Sequence, residues 1–447
     1  MQLDISNLRS RRPSAIALAA IAWGLIFLVK SWQLYRYGVD IPWSDQWDNE
    51  ITLIYFKAMD GTLSWGDFWA QGNEHRIVLT KAMDLAIFEL NGQRFRQLHV
   101  LVAQSLVFSL IPAVLLFALN REKIYLLASL LLVALFLPVI GWENFYWSYQ
   151  SQVYFALLFG VIGTYLISHE RPSAIALTIV TLLAGLSNAS SFFIPFLAAI
   201  AIALWGPRNR RSTFAAMYFL ALSMLCYKIF SAPKPEHDVF KATSLPQLVD
   251  SFGRYSAWPG YWGWLFWFVL AGLSAVMLFK LLRYRGQEAG APHNRLVRYG
   301  LLLGLWFGMF LTSSIYVRAG FPDVPNRYFD YYLIGFAALI FLFTQLKGKR
   351  WLPLLAGCIV ISVTTVAFKS FIQWSNYAQM KNAYRDNMIA ALKLVQHNPH
   401  IGQSELEEQL KKVPLPYAGY PNYEYPGLVI RDPRFLRMHR HWDLKAD

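Results

Sequence analysis

The sequence predicts an all-α polytopic membrane protein, and three observations carry that prediction. The chain of 447 residues is 56% hydrophobic and 16% aromatic but only 15% charged, against about 25% charged in a soluble domain. Its mean hydropathy is positive, at +0.33. Apolar runs of roughly 17–23 residues recur along the chain, matching a hydrocarbon core of about 30 Å. These features exclude a soluble globular protein, a disordered chain and a disulfide-stapled secreted module. The two cysteines, Cys226 and Cys358, both fall in apolar runs, so neither a disulfide framework nor a cysteine metal site is expected.

Breaks at charged and turn-forming residues give about eleven crossings, at 14–36, 98–119, 124–140, 151–168, 173–189, 190–206, 213–230, 261–282, 299–317, 331–346 and 351–368. Ser187-Asn188-Ala189-Ser190-Ser191 is the hairpin turn that divides the long run around it, and Asn188 is read as a turn residue. The first run has a basic start with Arg9, Arg11 and Arg12 but no cleavage site before Trp32 and Tyr35, so it reads as a retained anchor. The domain division expected is a transmembrane unit over 1–368, including an outer loop at 37–97, and a small extracytoplasmic segment over 369–447.

Orientation follows from Lys and Arg. With the N-terminus inside, the inner loops collect Arg121, Lys123, Arg171, Arg208, Arg210, Arg211, Lys280, Arg283, Arg285, Arg295, Arg298, Lys347, Lys349 and Arg350. The two short outer hairpins, about 141–150 and 187–191, carry neither. All of the 27 acids except Asp4, Glu122, Glu170 and Glu288 then lie outside, so chemistry that uses carboxylates belongs to the outer face. The expected location is a bacterial cytoplasmic (inner) membrane, with the N-terminus inside and the C-terminus outside. The formal charge of +14 is explained by this topology rather than by nucleic acid.

The outer loop opens with Asp40-Ile41-Pro42-Trp43-Ser44-Asp45-Gln46-Trp47-Asp48-Asn49-Glu50. An amphipathic stretch follows (Ile51, Ile54, Tyr55, Ala58), then a stop at Asp60-Gly61-Thr62. After Asn73-Glu74-His75-Arg76 comes a second amphipathic stretch (Ile77, Thr80, Lys81, Asp84, Phe88). Both are too polar to cross and are expected to lie in the interface, apolar face down. The tail reads as an amphipathic helix (Phe371, Trp374, Tyr377, Met380, Tyr384), a short helix capped at Ser404-Glu405-Leu406-Glu407, and a Pro/Tyr-rich stretch over 414–426. It is expected to pack against the first loop.

The crossings are nearly free of ionisable residues, which disfavours an ion-coupled transporter. The densest constellation is at the outer rim. Asp45, Asp48 and Glu74 are the catalytic candidates: a partly desolvated carboxylate there suits a general base, although acids at 45 and 48 also suit the start of a helix. Glu50 reads as solvated surface. His75 suits a proton shuttle and Arg76 a phosphate oxygen, against the plainer reading of a local salt-bridge cluster. Asp48, Glu74 and His75 are the candidate ligands for a divalent metal, the one candidate cofactor. Trp43, Trp47, Glu143, Tyr149 and Gln150 suit the stacking and hydrogen bonding of a sugar, or simply an aromatic belt. Arg254 (beside Tyr255, Trp258, Tyr261 and Trp262), Arg318, Arg327 and Tyr328 suit a lipid phosphate, or snorkelling to headgroups. P-loop, dinucleotide, HExxH and GxSxG patterns are absent.

The crossing number, the acids at Asp45-Gln46-Trp47-Asp48 soon after the first span, the two interfacial helices in the same loop and the outer C-terminal part together resemble the GT-C class of integral-membrane glycosyltransferases. The short tail departs from members that carry a full outer domain. The resemblance implies a sugar donor linked to a polyprenyl phosphate, a glycan or glycolipid acceptor, a role in cell-envelope polysaccharide, contact with membrane lipid and no nucleic acid. It implies transfer by direct displacement with Asp45 as base. The alternatives from other classes are a glycolipid flippase or exporter, and an outer-face polysaccharide polymerase.

Overall fold

A computed structural model describes residues 14–121, 123–169, 172–232, 234–258, 263–283, 292–346, 351–411 and 429–439. Arg9, Arg11, Arg12, Arg171, Arg285, Tyr261, Trp262, the Pro/Tyr-rich stretch and Lys347, Lys349 and Arg350 lie outside the described residues. No strand occurs among those described. Two isolated bridges, Gly72 with His75 and His75 with Ser231, are the nearest approach to one.

The helices are α1 (Ala15–Tyr37), α2 (π-helical over Trp47–Phe56, continuing as Lys57–Met59), α3 (Trp65–Trp69), α4 (Val78–Leu90), α5 (Gln97–Asn120), α6 (Leu126–Phe136), α7 (Trp142–Tyr146), α8 (Ser151–Ile167) and α9 (Ala174–Gly185). There follow α10 (Phe193–Trp205), α11 (Arg210–Phe230), α12 (Leu245–Ser256), α13 (Gly263–Arg283), α14 (Pro292–Val317), α15 (Phe329–Phe343), α16 (Trp351–His397), α17 (Gln403–Lys411) and α18 (Pro433–Met438). A helix stands at each of the eleven expected positions, but among the described residues seven are long and apolar enough to cross a bilayer: those at 15–37, 97–120, 148–167, 210–230, 263–283, 295–317 and the helical stretch within 357–397. The others, α6, α9, α10 and α15, are short. α15 has 15 residues, about 22 Å at 1.5 Å per residue. It is buried all round from Asp330 to Leu342, so neighbouring helices rather than lipid solvate it. Hydropathy reads apolarity but not what covers it.

The helices form two cores. The first is the bundle interior, where α1 packs along α5, α14 along α15 and α10 along α11. Its outer surface is apolar, with Ile16, Ile21, Leu25 and Leu28 exposed on α1 and Phe214, Met217 and Met224 on α11. The second core lies at one end, called here the loop face, where the α1–α5 connection, the α6–α8 connection and the C-terminal tail meet. Among the described residues, most acids fall in these three segments; Glu236, Asp238, Asp250, Asp323 and Asp330 lie in the connections after α11 and α14 or at the start of α15.

α16 is one helix of 47 residues, about 70 Å long, so no break separates the bundle from the tail. Its last turns bury Tyr384, Met388, Ala391, Leu392 and Val395, spaced at the i, i+4, i+7 rhythm of a single face. Trp43 meets Tyr384 edge-on at 5.8 Å and Trp47 stacks on Phe435 at 5.4 Å. The Phe95 N–H donates to the Met438 carbonyl at 3.2 Å. The tail thus docks on the first loop, as expected.

That docking corrects one reading and shows a feature of the loop helices that the sequence did not. Trp43 and Trp47 are 4% and 5% exposed, and they are walls of the second core rather than a sugar-facing platform. The loop helices turn partly polar faces inward: α2 buries Glu50 beside Trp47, Ile51 and Ile54, and α4 buries Thr80, Lys81 and Asp84 beside Val78 and Phe88 while Ala82, Ala86 and Leu90 stay exposed. Their polar inner faces need partners in the protein. Lys81 finds two carbonyls, those of Asp67 at 3.0 Å and Ala70 at 2.8 Å.

Candidate functional site

Asp45 is presented by a short, strained approach to α2. Ser44 adopts φ +47°, a left-handed conformation that costs about 1–2 kcal/mol for a non-glycine residue. The next residue but one, Gln46, is fully buried and anchors the segment. Its side-chain oxygen accepts from the Trp43 N–H at 3.0 Å and from Gln97 Nε2 at 3.1 Å. Its amide nitrogen donates to Glu50 Oε2 at 2.7 Å and Ser148 Oγ at 2.6 Å. With Gln46 held on four sides, Asp45 has little freedom.

The partner of Asp45 is Asn73, whose Nδ2 donates to Asp45 Oδ2 at 2.7 Å and approaches the Tyr149 hydroxyl at 3.4 Å. Asn73 too is left-handed, at φ +54°. It sits in a tight turn closed by two backbone bonds, Gly72 N–H to the His75 carbonyl at 2.9 Å and His75 N–H to the Gly72 carbonyl at 3.1 Å. Gly72 is glycine for space: a Cβ there would lie 2.8 Å from Ile77 Cδ1 and 3.0 Å from the Tyr149 hydroxyl. Burial pushes the Asp45 carboxyl above its usual range, opposed by the Asn73 bond and Arg327 and aided by Asp48.

Glu74 is in the opposite state. Its Oε1 takes Arg318 Nη2 at 2.6 Å and faces His237 Nδ1 at 2.5 Å. Burial acts to raise this carboxyl, but Arg318, His75 and His237 outweigh it and hold it down at about 2. Its carbonyl accepts from the Ala232 N–H at 2.9 Å, which ties the turn to the end of α11. Arg318 follows α14 and also donates through Nε to the Tyr328 hydroxyl at 3.1 Å. The next charges along the rim are Glu143 and Arg327, paired at 3.1 Å. The Glu143 N–H donates to Asn326 Oδ1 at 3.2 Å, and Asn144 Nδ2 donates to the Arg327 carbonyl at 2.6 Å and to Asp330 Oδ2 at 2.8 Å. Asp330 also accepts from the Gly141 N–H at 3.3 Å, and a Cβ at Gly141 would collide with its carboxylate.

The structure therefore brings Asp45, Glu74, His75, Glu143, Tyr149, Arg318, Arg327 and Tyr328 into one polar cluster at the loop face. It leaves others out. Asp48 is exposed on the first turn of α2 and reaches Asp45 only as a like charge. Arg76 turns away: Nη1 donates to the Trp69 carbonyl at 2.7 Å and the guanidinium lies 5.7 Å from the Trp69 ring. Gln150 is buried just before the start of α8. Arg254 pairs with Asp250 and donates to the Ala319 carbonyl at 2.8 Å. Asn188 is a turn residue, its Oδ1 accepting from the Ser190 N–H at 3.0 Å.

Asp48, Glu74 and His75 do not converge as ligands. Glu74 is engaged by Arg318 and His237, Asp48 faces outward, and among the described residues no three His, Cys, Asp or Glu side chains group to hold a metal. The His75 Nδ1 is enclosed without a partner, and burial lowers the imidazole's proton affinity.

Glu50, expected on the surface, is 1% exposed. It lies within hydrogen-bonding reach of Asp84 on α4. Neither Asp84 oxygen nor Glu50 Oε1 has a donor, so two buried acceptors face one another. Burial pushes Glu50 up to about 8 and Asp84 well above its usual range. Such a pair is stable only when it retains a proton. A narrow cleft beside Glu50, with no room for a ligand, is lined by Tyr55, Phe88, Asn91, Arg94, Arg96 and Ser148, and its walls include neither Asp45 nor Glu74.

Sequence reasoning missed Asn73, His237, Asn144, Asp330 and Lys30. Lys30, on the mostly apolar α1, is buried, donates to the Pro138 carbonyl at 2.8 Å and lies near enough to Asp330 to attract it. Its only signal was a lone cation in an apolar run. The others are single polar residues in separate connections, and only the fold assembles them. Comparison of the chain with protein-family models, with curated proteins and with solved structures finds no match.

Proposed function

We propose that this chain is a membrane glycosyltransferase that moves a sugar from a polyprenyl-phosphate donor to a glycan or glycolipid acceptor on the extracytoplasmic face. The observation that carries the reading is Asp45: a carboxylate fixed by Asn73 between two left-handed residues, its proton affinity raised by burial, on a rim that also holds Arg318 and Arg327. A raised pKa strengthens a carboxylate as a base. Strain held beside a functional group is a mark of pre-organisation.

In the proposed step an acceptor hydroxyl gives its proton to Asp45 as its oxygen attacks the anomeric carbon. The new glycosidic bond forms as the bond from that carbon to the phosphate oxygen breaks, and the polyprenyl phosphate departs with the electron pair. Arg318 and Arg327 offset the charge on the departing group. Both are engaged by Glu74 and Glu143 in this state, so the phosphate exchanges with those carboxylates. One displacement inverts the anomeric centre. General-base assistance of this kind contributes about 10²–10⁴-fold. Arg76 has no part in this step, because Trp69 holds it elsewhere.

One observation favours the flippase reading: the buried Lys30 and Asp330 place opposite charges at the inner end of the rim, and ionisable groups in a bundle mark pathways. Reconstitution with a labelled polyprenyl-phosphate sugar separates the two. Glycosyl transfer abolished by Asp45→Asn, with insertion and abundance unchanged, supports the transferase. Movement of labelled lipid between leaflets with no new glycosidic bond overturns it in favour of the flippase.

A further inference from the structure

α12 is built inside out. Its protein-facing side is largely polar: Ser251 Oγ donates to the Ile315 carbonyl at 2.8 Å, Arg254 Nη2 to the Ala319 carbonyl at 2.8 Å, and Ser256 is buried, with Tyr255 the one large ring buried among them. Its exposed apolar residues form a stripe on the opposite side. Leu245 is 72% exposed, Val249 61% and Phe252 54%, spaced i, i+4, i+7 on one stripe. Val239, in the short turn before it (Pro235–Phe240), is 72% exposed. Water is a poor solvent for such a stripe, at about 25 cal/mol per Å² of apolar surface.

We propose that α12 is seated in the bilayer boundary at the loop face, with lipid chains and headgroups as the partner of its apolar stripe. Three observations identify the occupant. At 12 residues the helix is too short to cross. It rests on the last turns of α14, a helix long and apolar enough to span. Its stripe is followed in the chain by the exposed apolar start of α13, where Trp264, Leu265 and Phe268 face outward. A helix with a strong apolar face, low overall hydrophobicity and this position lies in the interface plane.

The same segment reaches the polar cluster. Phe240 stacks on Phe321 at 4.5 Å, the Gly320 N–H donates to the Phe240 carbonyl at 2.9 Å, and His237 is on Glu74. The lipid-seated helix and the Glu74–Arg318 pair are therefore parts of one continuous piece, and the proposal does not depend on the transferase reading.

The test uses the full chain with Cys226→Ala and Cys358→Ser, adding Val249→Cys, Phe252→Cys or Asp250→Cys, each labelled with bimane and reconstituted in phosphatidylcholine vesicles. Brominated acyl chains are expected to quench most of the fluorescence at 249 and 252 but little at 250, with aqueous iodide giving the reverse order. Quenching at 249 and 252 by iodide and not by bromolipid overturns the proposal. Shielding from both quenchers, with cross-linking between copies at 249, overturns it in favour of a second copy of this chain. Unchanged helicity by circular dichroism shows that the labelled variants are folded.

Discussion

Glu74 and Glu50 lie in one connection between α1 and α5, and their surroundings drive them in opposite directions. Glu74 meets Arg318 and His237 and is held ionised, at about 2. Glu50 meets Asp84 rather than an ion-pair partner, with Arg94 and Arg96 lining the space beside it, and burial holds its proton up to about 8. Glu50 sits on α2 and is 1% exposed, whereas Glu74 sits in the tight turn with its side chain 20% exposed, so depth contributes to the contrast. The larger difference is whether a cation is delivered from another part of the fold: α14 delivers one to Glu74, whereas α4 brings a second carboxyl to Glu50. Asp45 lies between the two states, raised by burial but moderated by Asn73 and Arg327.

The largest expected effect breaks the Glu50 side. A carboxyl whose pKa is raised on folding stabilises the fold fully below its unfolded value, near 4.5. That stability is lost as pH rises through the folded value, near 8. Each group contributes a slope of about 1.4 kcal/mol per pH unit within its window. The groups facing the pair are Gln46, Tyr55, Ser148, Tyr149 and Asp45, and Arg94 and Arg96 line the space beside Glu50; burial nevertheless dominates its ionisation. Unfolding in detergent should therefore show the wild type weakening by several kcal/mol between about pH 5 and 8, and Glu50→Gln or Asp84→Asn should flatten that fall. A slope the same in both variants and the wild type would mean that the pair does not hold a proton.

Breaking the Glu74 side is the next largest. Arg318→Ala strands a carboxylate that is mostly buried, and removing one partner of such a pair costs about 3 kcal/mol. The double variant Arg318→Ala with Glu74→Gln should recover much of the loss, because no unpaired charge remains. The pH sign is opposite to that of Glu50. A depressed carboxyl stabilises above about 4.5 and loses that contribution as pH falls through about 2, so Arg318→Ala should steepen nothing at alkaline pH and shrink the acid limb. Equal loss in the single and double variants would show that Arg318 acts through packing on Phe321 and Tyr328 instead.

The same comparison shows what the sequence could disclose. The bundle was legible because apolar runs report directly on burial or lipid, and the bounds of α1, α5 and α8 fall within a residue or two of expectation. The short helices were not separable from crossings, because α15 is solvated by protein and reads as apolar either way. Asp45 and Glu74 stood out as acids beside an apolar run. Glu50 did not, because α2 is π-helical over Trp47–Phe56, which shifts the faces relative to a 3.6-residue period. Asn73, His237 and Asp330 carry no pattern at all. Each is one polar residue whose meaning is its distance from a residue far along the chain.

A smaller effect sharpens the intermediate case. Asn73 contributes both a hydrogen bond to Asp45 and a tolerance for φ +54°. Asn73→Gly keeps the backbone and loses the bond, whereas Asn73→Ala loses both, so alanine should be less stable than glycine by about 1 kcal/mol. Both variants should titrate Asp45 at higher pH, because the donor that favours its ionised form is gone. Shifts in the Asp45 carboxyl resonance measured against pH would check this; no upward shift in either variant would detach Asn73 from the ionisation of Asp45.

The smallest effect comes from a pair that looks strong on paper. Arg434 of α18 bridges Asp60 just past the end of α2, an ion pair that joins the tail to the first loop. The two side chains are 34% and 43% exposed, so water and salt screen the attraction, and an exposed pair contributes only about 0.2–1 kcal/mol. Arg434 also keeps Asp432 as a partner when Asp60 is neutralised. Asp60→Asn should therefore leave the tail docked and lower stability by less than about 1 kcal/mol. The docking energy resides instead in Phe435 and Met438, both fully buried in the second core. Limited proteolysis of the tail distinguishes the two: release by Asp60→Asn would mean that an exposed charge, and not apolar burial, holds the second core together.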